Sequence, residues 1–434
     1  MEKEDGVMRR SKSDWMLTMI GGWVVFALII GSMINSEAAA AGPEKVTTIK
    51  IGVIESLTGA AAGPAGSIRE SVDMACDEIN AAGGIKSLGG AKLKLIWADY
   101  GESPDRAAAV TERLITEEKV SAMMGGHVGP WVLSSTAVAE KYKIPYLVLS
   151  CGDGILNSRG FKYVFQPMPS VPRSYSEPCF TLMEDVKKRR PESEHVKTVA
   201  TVSLNMDTAR QTQDSILAYS EKYGYKCVLK ELFPSNVTDF NPTVLKLKSA
   251  NPDMIYFYGV GADGMLFLRS LVAAKLAPKM IFMPTSGNDP RFHETMKQYC
   301  DTVMVPTPFY MGTDPQSLAV QERFKKRYGK VMNLYSGGQY PTLFILQDAL
   351  ERAGSIDPGK VRDALAKTDL QGWPQSFLSW KRVKFDETGW NIHFGAGIMQ
   401  LFWEQGKINY SKMVWPQDLA TFQYSWPGKW AWMK

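Results

Sequence analysis

Short apolar runs alternate with helical apolar stripes along most of the chain, and residues 49–85 set the pattern. Ile49, Ile51, Val53 and Ile54 make a β-branched run that reads as a buried parallel strand. A loop of small residues follows over 56–66, with Gly59, Gly63, Pro64 and Gly66. A helix is then expected from its stripe of Ile68, Val72, Ala75 and Ile79, ended by Gly83 and Gly84. The unit repeats. Strands are expected over 92–97, 120–124, 144–149, 196–202, 226–232, 254–258 and 280–283. Helices are expected over 105–119, 131–142, 175–188, 243–249 and 265–274, then 317–328 and 340–353. Late strands are expected over 381–385, 394–403 and 412–415. Such a βα rhythm favours parallel sheets with helices on both faces. Ligands of open sheets of this kind bind beyond the carboxyl ends of the strands.

At 434 residues the chain exceeds one typical core, so two α/β domains are expected. Prolines at 167, 169 and 172, and again at 306 and 308, mark crossings between them. The net charge of +5 is dispersed, which argues against nucleic acid as a partner. Residues 1–41 carry Arg9, Arg10 and Lys12 before an apolar segment over 15–34 and the small residues 38–42. That order reads as a secretory signal peptide, with an uncleaved membrane anchor as the lesser alternative. The five cysteines, at 76, 151, 179, 227 and 300, contain no C-x-x-C, and buried thiols are the favoured reading.

Candidate chemistry is sparse. Residues 259–264 spell G-x-G-x-x-G, but the acid expected after the next strand is replaced by Met283-Pro284-Thr285-Ser286, so a chance glycine turn is preferred over a nucleotide site. The four histidines are far apart, and no metal-ligand spacing occurs, so neither a metal nor a cofactor is expected. No G-x-S-x-G elbow or Walker A sequence is present, so the chain is not expected to be an enzyme. His127 stands out, because it lies in a glycine loop, 125–130, at a strand end. There it could donate to a ligand or bond its own loop. The loop 150–154, with Ser150, and the loop 205–208, with Asn205, occupy equivalent strand ends. Trp426, Trp430 and Trp432 read as packing residues of a terminal segment.

The opening IKIGVIESLTGAAAGPAG, followed by DEINAAGGI, resembles the start of periplasmic solute-binding proteins of the leucine/isoleucine/valine type. The likeness continues through Met124-Gly125, Ile144-Pro145-Tyr146, 157–165, Asp239-Phe240, Asn251-Pro252-Asp253 and 385–389. It covers most of the chain after residue 46. The resemblance implies an α/β fold of two doubly wound parallel-sheet lobes joined by a three-segment hinge. Lobe 1 would comprise residues 47–168 and 309–390, and lobe 2 residues 169–308 and 391–434. It implies a monomer that closes on a small amino acid or carboxylate-like solute and presents it to an ABC-type membrane permease. A ligand-sensing module for a membrane receptor, or an exported α/β enzyme, remain the alternatives.

Carried over residue by residue, the family's amino-acid site is altered. Gly129 stands where the family usually has a carboxylate-binding serine, and Gly152 where it has a threonine. Ser286 replaces an acid that would meet the ligand ammonium, and Val260 replaces an aromatic. Backbone N–H groups of Val128, Gly129 and Gly152 could still take a carboxylate. Asp153 or Asp207 could replace the missing acid. Otherwise the solute lacks an α-amino group and is a plain carboxylate, an amide or an aromatic acid.

Overall fold

The structure is a computed structural model, and it describes residues 46–433 apart from 60–61, 102, 128, 150–155, 169–170, 261, 308–314, 374–376, 378–381, 394 and 410–411. The expected export segment lies outside these residues. Among them no helix is long and apolar enough to cross a membrane.

Two sheets carry the fold. The first is built from β1 (Thr48–Glu55), β2 (Lys92–Asp99), β3 (Ala122–Gly125), β4 (Tyr146–Val148) and β5 (Val164–Phe165), in the order β2-β1-β3-β4-β5. All its neighbours run parallel. Parallel pairing requires crossovers that cover both faces, and Ile49, Ile51, Val53 and Ile54 of β1 are accordingly buried. Helices Ala62–Ala81, Pro104–Thr116 and Gly129–Tyr142 supply the cover.

The first of these helices starts within the expected loop of 56–66. Gly63 and Pro64 fall in its first turn, where backbone N–H groups have no intrahelical partner and a proline costs little. Ser103 accepts the N–H of Arg106 and caps the second helix, with Pro104 next to it.

The second sheet contains β6 (Thr198–Leu204), β7 (Lys226–Phe233), β8 (Met254–Tyr258), β9 (Met280–Phe282) and β10 (Met304–Thr307). After the short pair β11 (Asp369–Gln371) and β12 (Arg382–Lys384), the chain returns to it as β13 (Gly397–Gln400). A hairpin of β14 (Phe402–Glu404) and β15 (Lys407–Asn409) follows, and β16 (Met413–Trp415) completes the sheet. The order is β16-β13-β10-β9-β8-β6-β7, with β13 alone running opposite to the rest, antiparallel to both of its neighbours. The strand expected over 394–403 is therefore two strands, because the chain leaves the sheet after Gln400 to make the hairpin. Helices Val171–Arg189, Asp207–Tyr223, Asn241–Ala250 and Asp263–Ala273 flank this sheet. Its core holds stacked and edge-on phenyl rings, with Phe257 4.1 Å from Phe267 and 5.5 Å from Phe233 between centroids.

Helices Pro315–Tyr328 and Leu334–Ala353 pack back on the first sheet's helix Ala62–Ala81. Arg323 reaches Glu78 at 2.9 Å, Arg327 reaches Asp77 at 2.7 Å and Lys330 reaches Glu70 at 2.8 Å. The second of these helices begins before the expected residue 340. Asn333 accepts the N–H groups of Tyr335 and Ser336, and Ser336 Oγ accepts the Asn333 N–H, so a capping box starts it ahead of Gly337, Gly338 and Pro341. Pro358–Ala366 is a further helix that the apolar pattern did not signal.

The terminal tryptophans pack as expected. The indole N–H groups of Trp426, Trp430 and Trp432 donate to the carbonyls of Glu194, Pro278 and Leu276. The four described cysteines are free, and all but Cys227 are buried. Burial pushes the Cys76 thiol up to about 11 and the Cys300 thiol up to about 12.

Two chain segments are laced together where β5 ends. Gln166 N–H donates to Gly389 O at 2.8 Å, Asn391 N–H donates to Gln166 O at 3.2 Å, and Asn391 Nδ2 donates to Pro167 O at 3.1 Å. Gly389 has φ +78°, and a Cβ there would stand 2.1 Å from Val164 O. Gly389→Ala is expected to lower stability by more than about 1 kcal/mol, read as a reduced midpoint in urea unfolding.

Candidate functional site

In an open parallel sheet the site lies where strand order reverses, beyond the carboxyl ends. The first sheet reverses between β1 and β3, and the second between β6 and β8. Each reversal brings specific side chains to the carboxyl edge.

In the first sheet, Glu55 is the last residue of β1 and is fully buried. Ionised carboxylates are rarely buried without compensation. Here Gly126 N–H donates to Oε1 at 2.9 Å, His127 Nδ1 lies 2.6 Å from Oε2, and the Tyr100 hydroxyl reaches Oε2 at 3.5 Å. The chain can make this turn only through glycine. Gly125 and Gly126 have φ +105° and +82°, and a Cβ on Gly125 would stand 2.4 Å from Ile54 O. The turn therefore carries the Gly126 N–H onto Glu55 and sets His127 beside it.

With Glu55 as a carboxylate, which only accepts, His127 Nδ1 carries the proton and Nε2 is left as the free position. Nε2 is buried and has no hydrogen-bond partner among the described residues. The ring lies 5.5 Å from that of Tyr335, the second residue of helix Leu334–Ala353. Burial, with the charge of Glu55 as the smaller cause, raises the Tyr335 hydroxyl above its ordinary range. The same two causes raise Tyr100 further.

In the second sheet, Tyr258 ends β8 and is in register with Ser203 of β6. Its ring is 6.0 Å from that of Tyr175, on helix Val171–Arg189. Burial raises both hydroxyls, and Tyr335 adds to both shifts. Tyr335 thus lies beside His127 and within electrostatic reach of Tyr175 and Tyr258. None of these three tyrosine hydroxyls bonds to another described residue. The result is an aromatic wall with one empty imidazole nitrogen.

The residues expected from sequence are distributed around this wall. His127 is in it, and Gly129 opens the helix Gly129–Tyr142 just beyond. Val128, Ser150, Gly152 and Asp153 lie outside the described residues. Asn205 follows β6, and its Oδ1 accepts from Arg210 at 3.1 Å. Asp207 pairs with the same arginine at 2.5 Å, with its side chain 78% exposed. Val260 is exposed, and its N–H donates to Asp263 at 2.9 Å. Ser286 is buried beneath Gly264, and its hydroxyl donates to Gly259 O at 2.9 Å. Its hydroxyl therefore ties down the turn after β8. Among the described residues no cluster of three His, Cys, Asp or Glu could hold a metal ion.

Sequence reading missed Glu55, Tyr100, Tyr175, Tyr258 and Tyr335. Glu55 carried a usable signal, since it is a charge closing an otherwise apolar strand. Tyr258 ends a fully buried strand in the same way. Nothing local marks Tyr335, which enters the site only because its helix returns to the first sheet.

A family model described as periplasmic binding protein matches residues 48–390. The chain belongs to the periplasmic binding protein family. Leu/Ile/Val-binding protein homolog 7 of Brucella abortus (strain 2308) is 24% identical over 413 residues, covering 92% of this chain and 99% of that one. Homolog 8 of Brucella suis biovar 1 is 23% identical over 409 residues, covering 91% and 97%. Among solved structures, a chain from Silicibacter pomeroyi gives a TM-score of 0.78 at 19% identity, over 89% of this chain and 100% of that one. A substrate-binding protein of a Streptococcus pneumoniae branched-chain amino acid transporter, solved with isoleucine, gives 0.67 at 22%, over 85% and 100%. These likenesses establish the type I periplasmic binding protein fold. The family and the fold are those of substrate-binding proteins.

The buried Glu55 gives this binding protein a point where a single atom matters. Glu55→Gln keeps the shape and removes the charge that accepts Nδ1–H. Hydrogen bonds to charged groups contribute about 1.5–3 kcal/mol, and a loss of that size is expected in urea unfolding at neutral pH.

Proposed function

We propose that the chain is the extracytoplasmic solute-binding component of an ABC-type importer. Its lobes close on a small amino acid or carboxylate-like solute and deliver it to a membrane permease. The observation that carries this reading is that Tyr335, whose ring lies beside His127 at the first reversal point, is close enough to raise the hydroxyls of Tyr175 and Tyr258 by the second. The export-type order of residues 1–41 supports a periplasmic location. The lacing of Gln166 to Gly389 and Asn391 supports a hinge near 168/169 and 390/391, with the third crossing near 308/309. Contacts made to one lobe in the open state and to both in the closed state would drive closure.

Flat aromatic walls suit a flat or branched apolar body. Structures of the same fold include a Rhodopseudomonas palustris solute-binding protein in complex with 4-hydroxybenzoate, matching with a TM-score of 0.67 at 18% identity over 87% of this chain and 97% of that one. Backbone N–H groups of Val128, Gly129 and Gly152, with Ser150, could receive the solute from lobe 1. Asn205, Asp207 and Val260 border the lobe 2 edge, Ser286 supports it from beneath, and Asp153 remains a candidate acid on the sequence alone.

Thermal unfolding against a panel tests the proposal. The panel holds branched-chain amino acids, their des-amino carboxylates, benzoates and the matching amides. A solute that binds only the folded chain at 100 times its dissociation constant adds about 2.7 kcal/mol, a visible rise in Tm. A rise is expected for at least one carboxylate. A panel that shifts nothing, repeated after unfolding and refolding to strip retained solute, would sink the proposal.

A further inference from the structure

His127 is built as a half-used ligand. Its Nδ1–H is spent on Glu55, while Nε2 is buried without a partner among the described residues and the side chain is only 5% exposed. A buried polar atom left unpaired costs on the order of 1–3 kcal/mol, so the cluster is incomplete without a bound group. Glu55 cannot be that group's counter-ion. It is fully buried, and both of its oxygens are engaged. An α-ammonium on the solute would therefore gain nothing from it.

The charges around the imidazole are few. Glu55 faces it from β1, Tyr100 from the turn after β2, and Tyr335 from helix Leu334–Ala353, with Tyr146 of β4 behind Gly126. Tyr100 and Tyr335 are held neutral by burial. Asp99, the register neighbour of Glu55, turns to the N–H groups of Leu57 and Gly101, the Thr58 hydroxyl and Arg106. No lysine or arginine among the described residues pairs with Glu55, His127 or Tyr335. Of the described groups in this cluster, only the imidazole of His127 can become a cation.

We infer that the solute is anchored in lobe 1 by a carboxylate on His127 Nε2, and that binding takes up one proton from solvent. The inference rests on the solute-binding reading above and narrows it. The imidazole becomes an imidazolium that donates Nδ1–H to Glu55 and Nε2–H to the solute. An unpaired carboxylate in a closed cleft is costly, and this proton supplies the only cationic partner the described cluster can form. The bound form holds one more proton than the free form, so rising pH weakens binding. The loss is up to about tenfold per pH unit once the free imidazole is neutral.

The test is titration calorimetry of the full chain with benzoate, 4-hydroxybenzoate, 3-methylbutanoate, benzamide and leucine, in phosphate and in Tris, between about pH 6 and 8.5. The expected result is a carboxylate whose apparent heat depends on the buffer, with close to one proton taken up at the alkaline end. Its Kd should rise with pH, His127→Gln should flatten that slope, and benzamide should bind more weakly than benzoate. A carboxylate that binds without proton uptake, or with the same slope in His127→Gln, overturns the inference and leaves the solute-binding reading standing. So does binding by leucine alone without uptake. Binding by none of the probes counts against the solute-binding reading itself, and the inference falls with it. Should His127→Gln not fold, imidazole nitrogen NMR of the unaltered chain decides: Nε2 protonated in the benzoate-saturated chain supports the assignment, and Nε2 unprotonated overturns it.

Discussion

A carboxylate sealed at the end of a buried strand is the constraint around which the site is arranged. Glu55 has no contact with water, and an ionised group there must be met by donors. The first sheet supplies them from two segments, the turn after β2 and the glycine turn after β3. Gly126 gives a backbone N–H, Tyr100 a hydroxyl and His127 a ring N–H. Each donor imposes a condition on its own segment. The Gly125-Gly126 turn must run through positive φ, Tyr100 must be buried behind β1, and His127 must present one nitrogen inward. Because Nδ1 is committed to the protein, Nε2 is committed to whatever enters.

The same logic of strand ends sets the opposite wall. The second sheet repeats the reversal of strand order, so Tyr258 arrives at a carboxyl edge as Glu55 does. Its surroundings are aromatic and apolar, with Tyr175 beside it and a core of phenyl rings below. The two edges therefore differ in character: one holds a polar dyad, and the other a flat surface. Tyr335 links them, placed by a helix that packs back on the helix Ala62–Ala81, where its Tyr340 hydroxyl donates to Glu78 beside the ion pairs that the preceding helix makes.

Much of the scaffold was legible because its causes are local. The β-branched run of β1, the helical stripe behind it and the Met254–Tyr258 strand follow from periodicity, which the chain expresses within a few residues. Boundaries were less legible where two local signals compete. Gly63 and Pro64 look like loop residues, yet they sit in a helix's first turn; Gly337, Gly338 and Pro341 look like breakers, yet a capping box starts the helix before them. The resemblance of the opening motif added the two-lobed arrangement that periodicity alone left as two α/β domains.

The site divides along the same line. The sequence by itself determined that a histidine stands in a glycine loop at a strand end, because loop chemistry and strand end are both properties of neighbouring residues. The resemblance added the expectation that the family's amino-acid pattern is altered at Gly129, Gly152, Val260 and Ser286. Only the tertiary structure decided what those residues do. Ser286 is turned inward to hold Gly259, and Asp207 is occupied by Arg210, because packing chooses a side chain's partner. The pairing of Glu55 with His127 joins residues 72 apart in sequence, and Tyr335 reaches them from another segment altogether. A hydrogen bond acts over about 3 Å in space, and no pattern along the chain records which distant residues will come that close.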